Sequence, residues 1–301
     1  MALFNINHTK LDQIKEDPFK LEKEIQEITE QNLEIIFRFY FVRSEFSLHN
    51  FRIDTLAFDK KSTCFVIIEY KRDKNFSVID QGYTYLSLML NNKADFILEY
   101  NERCKGTLRK DDIDWSQSKV IFVSPSFTPY QKEAINFKDL PIELWEIKRY
   151  DNNTVRYRQL PSYGAQESIK TISNRNDTTN IVAQEIKVYT EEEHLAKATE
   201  EIKELYRKIK EAILYLDSLE VKARKKYIAF LNPANLVDIQ IRESSLVIWI
   251  NLSIGRLDDP KGLCRNVSNK GHHGNGDYEL QIKNDDDLEY IMSLVKQAIK
   301  N

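Results

Sequence analysis

Three residues in the first quarter of this 301-residue chain, Asp54, Glu69 and Lys71, combine side chains suited to phosphate and divalent cations. Two carboxylates side by side in a mostly buried sheet repel each other and are poorly solvated. A divalent cation between them removes both problems. Magnesium takes oxygen ligands, usually a couple of carboxylates with waters and substrate phosphate oxygens. Such an ion lowers the pKa of a bound water and polarises a phosphoryl oxygen. A neighbouring lysine can orient that water or neutralise charge developing on the phosphate. Taken singly, each residue has a plainer use: Asp54 as a turn cap, and Glu69 with Lys71 as a surface pair.

The elements around them decide whether they meet. Residues 51–58 and 64–71 read as strands, and the polar stretch 59–63 between them suits a hairpin. Side chains alternate across a strand, so Glu69 and Lys71 share a face. A hairpin pairing brings Asp54 beside Glu69. The second strand is apolar on both faces up to Glu69, as in a central strand. Ahead of the hairpin, Leu21, Ile25, Ile28, Ile35 and Ile36 recur at helical spacing, which predicts a helix over 18–42. Residues 78–90 read as a buried helix and 129–137 as a short one. Residues 95–100, 119–123, 142–148 and 154–159 read as strands. This order predicts an α/β arrangement around a mixed sheet.

The 160s and 170s change character. Residues 173–180, Ser-Asn-Arg-Asn-Asp-Thr-Thr-Asn, are polar without an apolar period. The expected organisation is therefore a first domain over 1–160, a linker over 161–186 and a second domain over 187–301. In the second half, Thr190 with Glu193 forms a candidate capping box. The helix it opens runs to about Leu216, with Leu195, Ile202, Leu205, Tyr206, Ile209 and Ile213 on one face. Strands are expected over 226–231, 236–241 and 246–252, and a last helix over 285–300 capped by Asn284.

With 42% apolar and 30% charged residues, the composition is that of a globular protein. The net charge of −3 supplies no overall positive field for tight non-specific DNA binding. A local basic groove can still sit on such a protein. Cys64, Cys104 and Cys264 form no C-x-x-C pair, which argues against a disulfide framework or a cysteine zinc site and for a reducing, cytoplasmic compartment. The N-terminus lacks a basic start followed by an apolar run, so no signal peptide is predicted. The longest apolar runs are too short for a membrane span. No G-x-x-x-x-G-K loop is present.

The stretch Phe51-Arg-Ile-Asp54 followed by Val66-Ile-Ile-Glu-Tyr-Lys71 resembles the D…E-x-K core of the PD-(D/E)XK nuclease superfamily. Val78-Ile-Asp-Gln-Gly-Tyr-Thr-Tyr85 resembles the Q-x-x-x-Y helix of one branch of it, with Gln81 and Tyr85 on one helix face. Residues 21–32 are similar to its acidic first helix. The match covers four motifs in order across about the first 150 residues. It implies a restriction-endonuclease-like mixed sheet flanked by helices, followed here by a smaller α+β domain.

The resemblance also implies roles. Asp54 and Glu69 would be metal ligands, with the Tyr70 carbonyl as a third, and Lys71 would position the nucleophilic water. Glu24 would be the first-helix acid, because it lies beside the stripe of Leu21, Ile25 and Ile28; Glu22 and Glu27 are alternatives. Gln81 would organise the site or meet the nucleic-acid backbone, and Tyr85 would stand with it. Arg72 and Lys74, directly after the motif, are expected to contact phosphate; Lys10, Lys15, Lys60 and Lys61 are further candidates, the last two reading better as a solvated hairpin tip. The implied cofactor is Mg2+ or Mn2+, the partner DNA, and the assembly a homodimer, since many such nucleases cut both strands as dimers. The alternative is a non-catalytic module on the same scaffold, binding nucleic acid or a partner.

Residues from about 187 onward resemble a bacterial domain of unknown function found beside nuclease-like domains, on Lys225-Lys-Tyr-Ile-Ala-Phe230 and Gly271-His-His-Gly-Asn-Gly-Asp277. The second stretch offers His272, His273, Asn275 and Asp277 to a ligand. Its plainer reading, which the residues favour, is a glycine-rich turn whose polar side chains tie down their own backbone. The residues identify no partner for this domain.

Overall fold

The computed structural model describes residues 2–72, 76–137, 139–161, 187–232, 235–270 and 273–300, with 168, 182 and 185. Most of the expected linker, and Lys74 and His272, lie outside the described residues. The chain divides into two compact units, Met1–Lys187 and Val188–Asn301.

The first unit opens with a hairpin, β1 (Leu3–Asn7) and β2 (Lys10–Ile14), which the hydrophobic pattern does not announce because its side chains are mostly exposed. Next come α1 (Glu22–Gln31) and α2 (Leu33–Phe37). Strands β3 (Tyr40–Leu48), β4 (Phe51–Asp59) and β5 (Cys64–Tyr70) follow. Helices α3 (Val78–Asn91) and α4 (Lys93–Cys104) come before β6 (Lys119–Ser124). The unit closes with α5 (Pro129–Ala134), β7 (Ile142–Arg149) and β8 (Val155–Leu160). One six-stranded sheet runs in sequence order from β3 to β8. The β5–β6 and β6–β7 pairs are parallel, and the others are antiparallel. This is the expected mixed sheet.

Two expected elements differ. The helix predicted over 18–42 ends at Phe37, where Arg38 takes a left-handed φ of 63°, and β3 begins two residues later. Residues 95–100, expected as a strand, lie inside α4. Their apolar run is short, and the buried positions Phe96, Glu99 and Tyr100 are spaced three and four apart, which is helical spacing. Phe96 and Tyr100 meet Phe46, Phe58 and Phe65 of the sheet through ring contacts.

β5 is the central feature. All seven of its residues are buried. Phe65 and Ile67 join the core beneath α3, α4 and α5. Cys64, Val66, Ile68 and Tyr70 join a second core with Ile25 of α1 and Leu33 and Phe37 of α2. A β-branched side chain fully buried this way contributes about 1.5–3 kcal/mol. A charge at position 69 of this strand therefore has to be accounted for.

The second unit is α+β, as expected. Its helices are α6 (Glu191–Leu195), α7 (Glu200–Leu216) and α8 (Leu288–Lys300). Its strands are β9 (Glu220–Ala223), β10 (Ile228–Leu231), β11 (Asn235–Arg242), β12 (Ser245–Ile250), β13 (Arg265–Asn266) and β14 (Tyr278–Ile282). They form one antiparallel sheet in the order β13-β14-β12-β11-β10-β9. Ile202, Leu205, Ile209 and Ile213 of α7 and Ile291, Leu294 and Val295 of α8 bury against it.

The single helix expected from Thr190 to Leu216 is two. Thr190 Oγ1 accepts from the Glu193 N–H, and Thr199 Oγ1 accepts from the Ile202 N–H to start again. The last helix starts at Leu288, three residues later than expected. Asn284 does not cap it; its side-chain amide donates to Asp286 instead.

In the glycine-rich stretch the Asn275 and Asp277 side chains bond to neighbouring segments, not to the stretch's own backbone as its plainer reading expects. Asn275 donates from its backbone N–H and its side chain to the buried Asp238 carboxylate, at 2.7 and 2.8 Å. Asp277 accepts from the Ile254 N–H at 2.7 Å. Gly274 lies on Trp249, where an added Cβ would come within 2.3 Å of the indole. Gly276 has φ +85°, and a Cβ there would come within 2.3 Å of the Ile250 carbonyl oxygen. Gly276→Ala is therefore expected to destabilise the second unit by about 1–3 kcal/mol, from left-handed strain plus a backbone clash. Urea unfolding of the full chain checks this; an unchanged midpoint would show that the loop lifts off freely.

Candidate metal and phosphate site

The site lies where two paired strands part. The β4–β5 ladder runs from Asp59↔Cys64 to Thr55↔Ile68 and stops there. Beyond it β4 stays with β3, through Phe46↔Ile53, while β5 stays with β6, through Glu69↔Phe122 and Tyr70↔Val123. Asp54 and Glu69 are the next residues on either side of this fork. With the ladder ended, the Asp54 and Tyr70 N–H groups have no backbone partner across the β4–β5 gap, and an unpaired buried N–H is costly. The two side chains fill the need crosswise. The Asp54 N–H donates to Glu69 Oε1 at 3.2 Å, and the Tyr70 N–H donates to Asp54 Oδ2 at 3.1 Å. Each carboxylate is thus fixed by the other's strand.

Burial raises the pKa of both. Glu69 is pushed up to about 7, by desolvation first and the Asp54 charge second, against the lowering effect of Lys71. Asp54 is also raised, mainly by desolvation, with the Tyr70 N–H opposing. Lys71 Nζ lies 3.3 Å from Glu69 Oε2. The sequence-predicted trio therefore converges.

Gln81 and Tyr85 sit on α3, which starts at Ser77, whose hydroxyl accepts from the Asp80 N–H. Glu69 alternates with Ile68 and Tyr70, so it projects to the α3 side of the sheet. There burial first, then the nearby Glu69 carboxylate, raises the pKa of the Tyr85 hydroxyl. That hydroxyl donates to the Arg52 carbonyl at 3.4 Å. Gln81 Oε1 is buried and has no hydrogen-bond partner among the described residues.

The first-helix acids separate. Glu24 accepts from the Lys20 N–H at 2.8 Å and the Leu21 N–H at 3.4 Å, capping its own helix, and the Lys20 N–H holds its pKa below the usual carboxylate range. Its geometry is that of a cap, because its position in the first turn lets it reach back over the helix start. Glu22 accepts from the Arg72 N–H at 2.8 Å, and its charge is among those acting on Asp54. Arg72 also donates to the Lys20 carbonyl at 2.6 Å, so its guanidinium is engaged at the base of α1. Lys60 Nζ stacks 3.3 Å from the Tyr40 ring centroid, in keeping with a hairpin-tip role.

Four residues around the site escape the sequence reading: Gln26, Glu30, Glu45 and Thr55. Glu45 faces Asp54 from β3, and its charge also raises the Asp54 pKa. The Gln26 amide donates to the Asp54 carbonyl at 3.0 Å and to Glu30 Oε1 at 2.9 Å. Thr55 Oγ1 donates to the same Glu30 oxygen at 2.6 Å. A signal for two of them exists: Gln26 and Glu30 are four apart and so share one helix face.

Among the described residues, no group of three or more His, Cys, Asp or Glu side chains stands ready to hold a metal ion. The donor set at the fork is two carboxylates. Asp54 Oδ1 accepts no hydrogen bond among the described residues, while Oδ2 is taken by the Tyr70 N–H. Two desolvated carboxylates with a spare oxygen fit a hard divalent cation that brings its own waters.

A Haemophilus influenzae protein described as uncharacterized is 54% identical over 302 residues, covering all of both chains. This chain belongs to its family. Residues 191–301 match the model of a domain of unknown function, DUF5655. Among solved structures, a repair endonuclease from Pyrococcus abyssi aligns at 19% identity and TM-score 0.25, over 44% of this chain and 50% of that one. An EndoMS–double-stranded DNA complex aligns at 17% and TM-score 0.29, over 48% and 64%. SfsA of Pyrococcus furiosus, in complex with Ca2+, aligns at 15% and TM-score 0.26, over 51% and 68%. The chain thus spans half of the first of these structures and under two thirds of the second.

Proposed function

We propose that the first unit is a Mg2+- or Mn2+-dependent nuclease acting on DNA phosphodiester bonds. The observation that carries this is the crossed pair at the fork: two buried carboxylates, each held by the backbone of the other's strand, with the Lys71 ammonium against one of them. A purely structural fork would be closed more stably by neutral side chains, because two like charges taken out of water cost stability.

Asp54 and Glu69 would hold the ion, with the Tyr70 carbonyl, on the next residue of β5, as a further oxygen. Once bound, the ion supplies Lewis acidity at the phosphoryl oxygen and a water of lowered pKa. The protein's own residues do the rest. The crossed N–H bonds fix both carboxylates at the fork. Lys71, on the same face as Glu69, offers a donor for the attacking water or the phosphate oxygen. Tyr85 stands near the Glu69 carboxylate on the α3 side. The orphaned Gln81 Oε1 is an acceptor left for a water or a nucleotide donor.

DNA is then the partner, and the three cysteines, all free thiols, suit a reducing cytoplasm. Among the described residues, no helix is long and apolar enough to cross a membrane.

The test is direct. Purified full-length protein with Mn2+ or Mg2+ should nick or cut duplex DNA, EDTA should stop it, and Asp54→Ala should reduce it to background. No cleavage by the wild type with either ion, or undiminished cleavage by Asp54→Ala, would overturn the proposal.

A further inference from the structure

The polar residues beneath the fork are out of place for a hydrophobic core. Gln26 is 4% exposed and Thr55 fully buried, on the α1 side of a sheet otherwise lined with Ile25, Val66, Ile68 and Ile121. Their bonds converge on one point. The Gln26 amide nitrogen has two hydrogens and three acceptors in reach: the Asp54 carbonyl at 3.0 Å, Glu30 Oε1 at 2.9 Å and Ser44 Oγ at 3.1 Å. Glu30 is in turn fixed by Thr55 Oγ1, the residue after Asp54, whose hydroxyl also meets the Tyr70 hydroxyl at 3.0 Å. The segment Asp54–Thr55 is therefore gripped from α1 at its carbonyl and its following side chain. On the opposite strand, the grip reaches Tyr70, whose N–H holds the Asp54 carboxylate.

This is the region where the β4–β5 ladder has ended, so no backbone pairing on the β5 side fixes the Asp54 peptide. A carboxylate aimed at a cation needs its backbone held to a fraction of an ångström. A buried polar network is stabilising only when its members are satisfied, and it otherwise costs more than an apolar core.

We propose that Gln26 is a positioning residue for Asp54: its amide clamps the Asp54 carbonyl to helix α1, with Glu30 and Thr55 bracing the clamp, and so sets the affinity of the fork for a divalent cation. This rests on the metal-binding reading given above and extends it to residues that touch neither ion nor substrate. Gln26 acts through the main chain of Asp54. Its own Oε1 points elsewhere, accepting from Lys23 Nζ at 3.3 Å.

The experiment is calorimetric titration of the full-length protein with Mn2+ alone. Gln26→Met keeps the bulk of the side chain and removes the donors. It should weaken Mn2+ binding on the order of 10–100-fold, the usual consequence of losing a group that orients a metal ligand. Thr55→Val should shift affinity in the same direction, by about 10-fold at most. Thr29→Val is the control. Thr29 is equally buried on the same helix, but its hydroxyl meets the Ile25 carbonyl and the Tyr157 hydroxyl rather than Asp54. It should cost stability and leave Mn2+ affinity as in the wild type.

Wild-type affinity in Gln26→Met, or an equal loss in Thr29→Val, would overturn the positioning role. Should Gln26→Met not fold, Thr55→Val decides alone: a loss supports the clamp, and unchanged binding refutes it. A wild type that binds no Mn2+ would instead sink the metal reading, and this inference with it, which is a different result from a wild type that binds and a Gln26→Met that binds equally well.

Discussion

Lys71→Met is expected to slow DNA cleavage on the order of 10²–10³-fold and to move the acidic limb of its pH–rate profile to higher pH. The first effect follows from removing a charged donor next to the reacting phosphate, whose loss from a water-poor site has about that magnitude. The second follows from the neighbours of Glu69. Its pKa, already about 7 from burial and from Asp54, is held down by the Lys71 ammonium. Without that charge the carboxylate holds its proton to higher pH, and a protonated Glu69 cannot serve as an anionic ligand. The two effects separate two roles. A rate loss with an unmoved profile would confine Lys71 to the chemical step. A moved profile with an undiminished plateau would make it an electrostatic partner of Glu69 alone. Retention of both rate and profile would remove Lys71 from the site.

The metal-free protein is expected to lose stability as pH rises from about 4.5 to about 7, and Glu69→Gln is expected to abolish most of that loss. In the unfolded chain Glu69 titrates near 4.5; in the folded chain, near 7. Between these values the folded state holds a proton that the unfolded state has released, so raising the pH favours unfolding. The effect is complete above the folded value and absent below the unfolded one. The span corresponds to at most about 3 kcal/mol. Asp54, also raised, acts in the same direction.

Urea unfolding in EDTA at pH 5 and pH 8 measures this. The wild type should have the lower midpoint at pH 8, and Glu69→Gln should approach its own pH 5 value. Added Mn2+ should restore the wild type at pH 8, because a ligand that binds only the folded state stabilises it by mass action. The same substitution that stabilises the empty protein should end cleavage. A wild type with equal stability at both pH values would show that the pair is not held ionised against its environment.

The parts of the fold that were legible in the sequence are those with a strong local signature. β4 and β5 could be read from β-branched and aromatic runs around a short polar turn, and they lie at 51–59 and 64–70. α3 could be read from its apolar period and few charges. The errors fall where local pattern is ambiguous. Residues 39–42, Phe-Tyr-Phe-Val, continue the apolar stripe of the preceding helix, yet belong to the entry of β3. A left-handed Arg38 turns the chain there, burying Phe39 and Val42 and leaving Tyr40 and Phe41 exposed at the sheet edge. Residues 96–98, Phe-Ile-Leu, satisfy a strand and a helix alike. What settles them is the aromatic cluster that Phe96 and Tyr100 complete one helical turn apart. Arg72 meets the Lys20 carbonyl through the return of α1, a contact that nothing in residues 71–74 discloses.

Sequence alone determined the membership of the central trio. Strand alternation sets Glu69 and Lys71 on one face whatever the rest of the chain does, and the hairpin length brings Asp54 level with Glu69. Only the tertiary structure decided how the trio is held. Whether β4 and β5 stay zipped or part at Asp54 depends on β3 and β6 claiming them from either side, and those are pairings between residues distant in the chain. The parting leaves backbone N–H groups for the carboxylates to satisfy, and the docking of α1 brings Glu22 to Arg72 and Gln26 to the Asp54 carbonyl. Local pattern names the residues that can do chemistry; long-range strand partition and the docking of α1 set the geometry in which they do it.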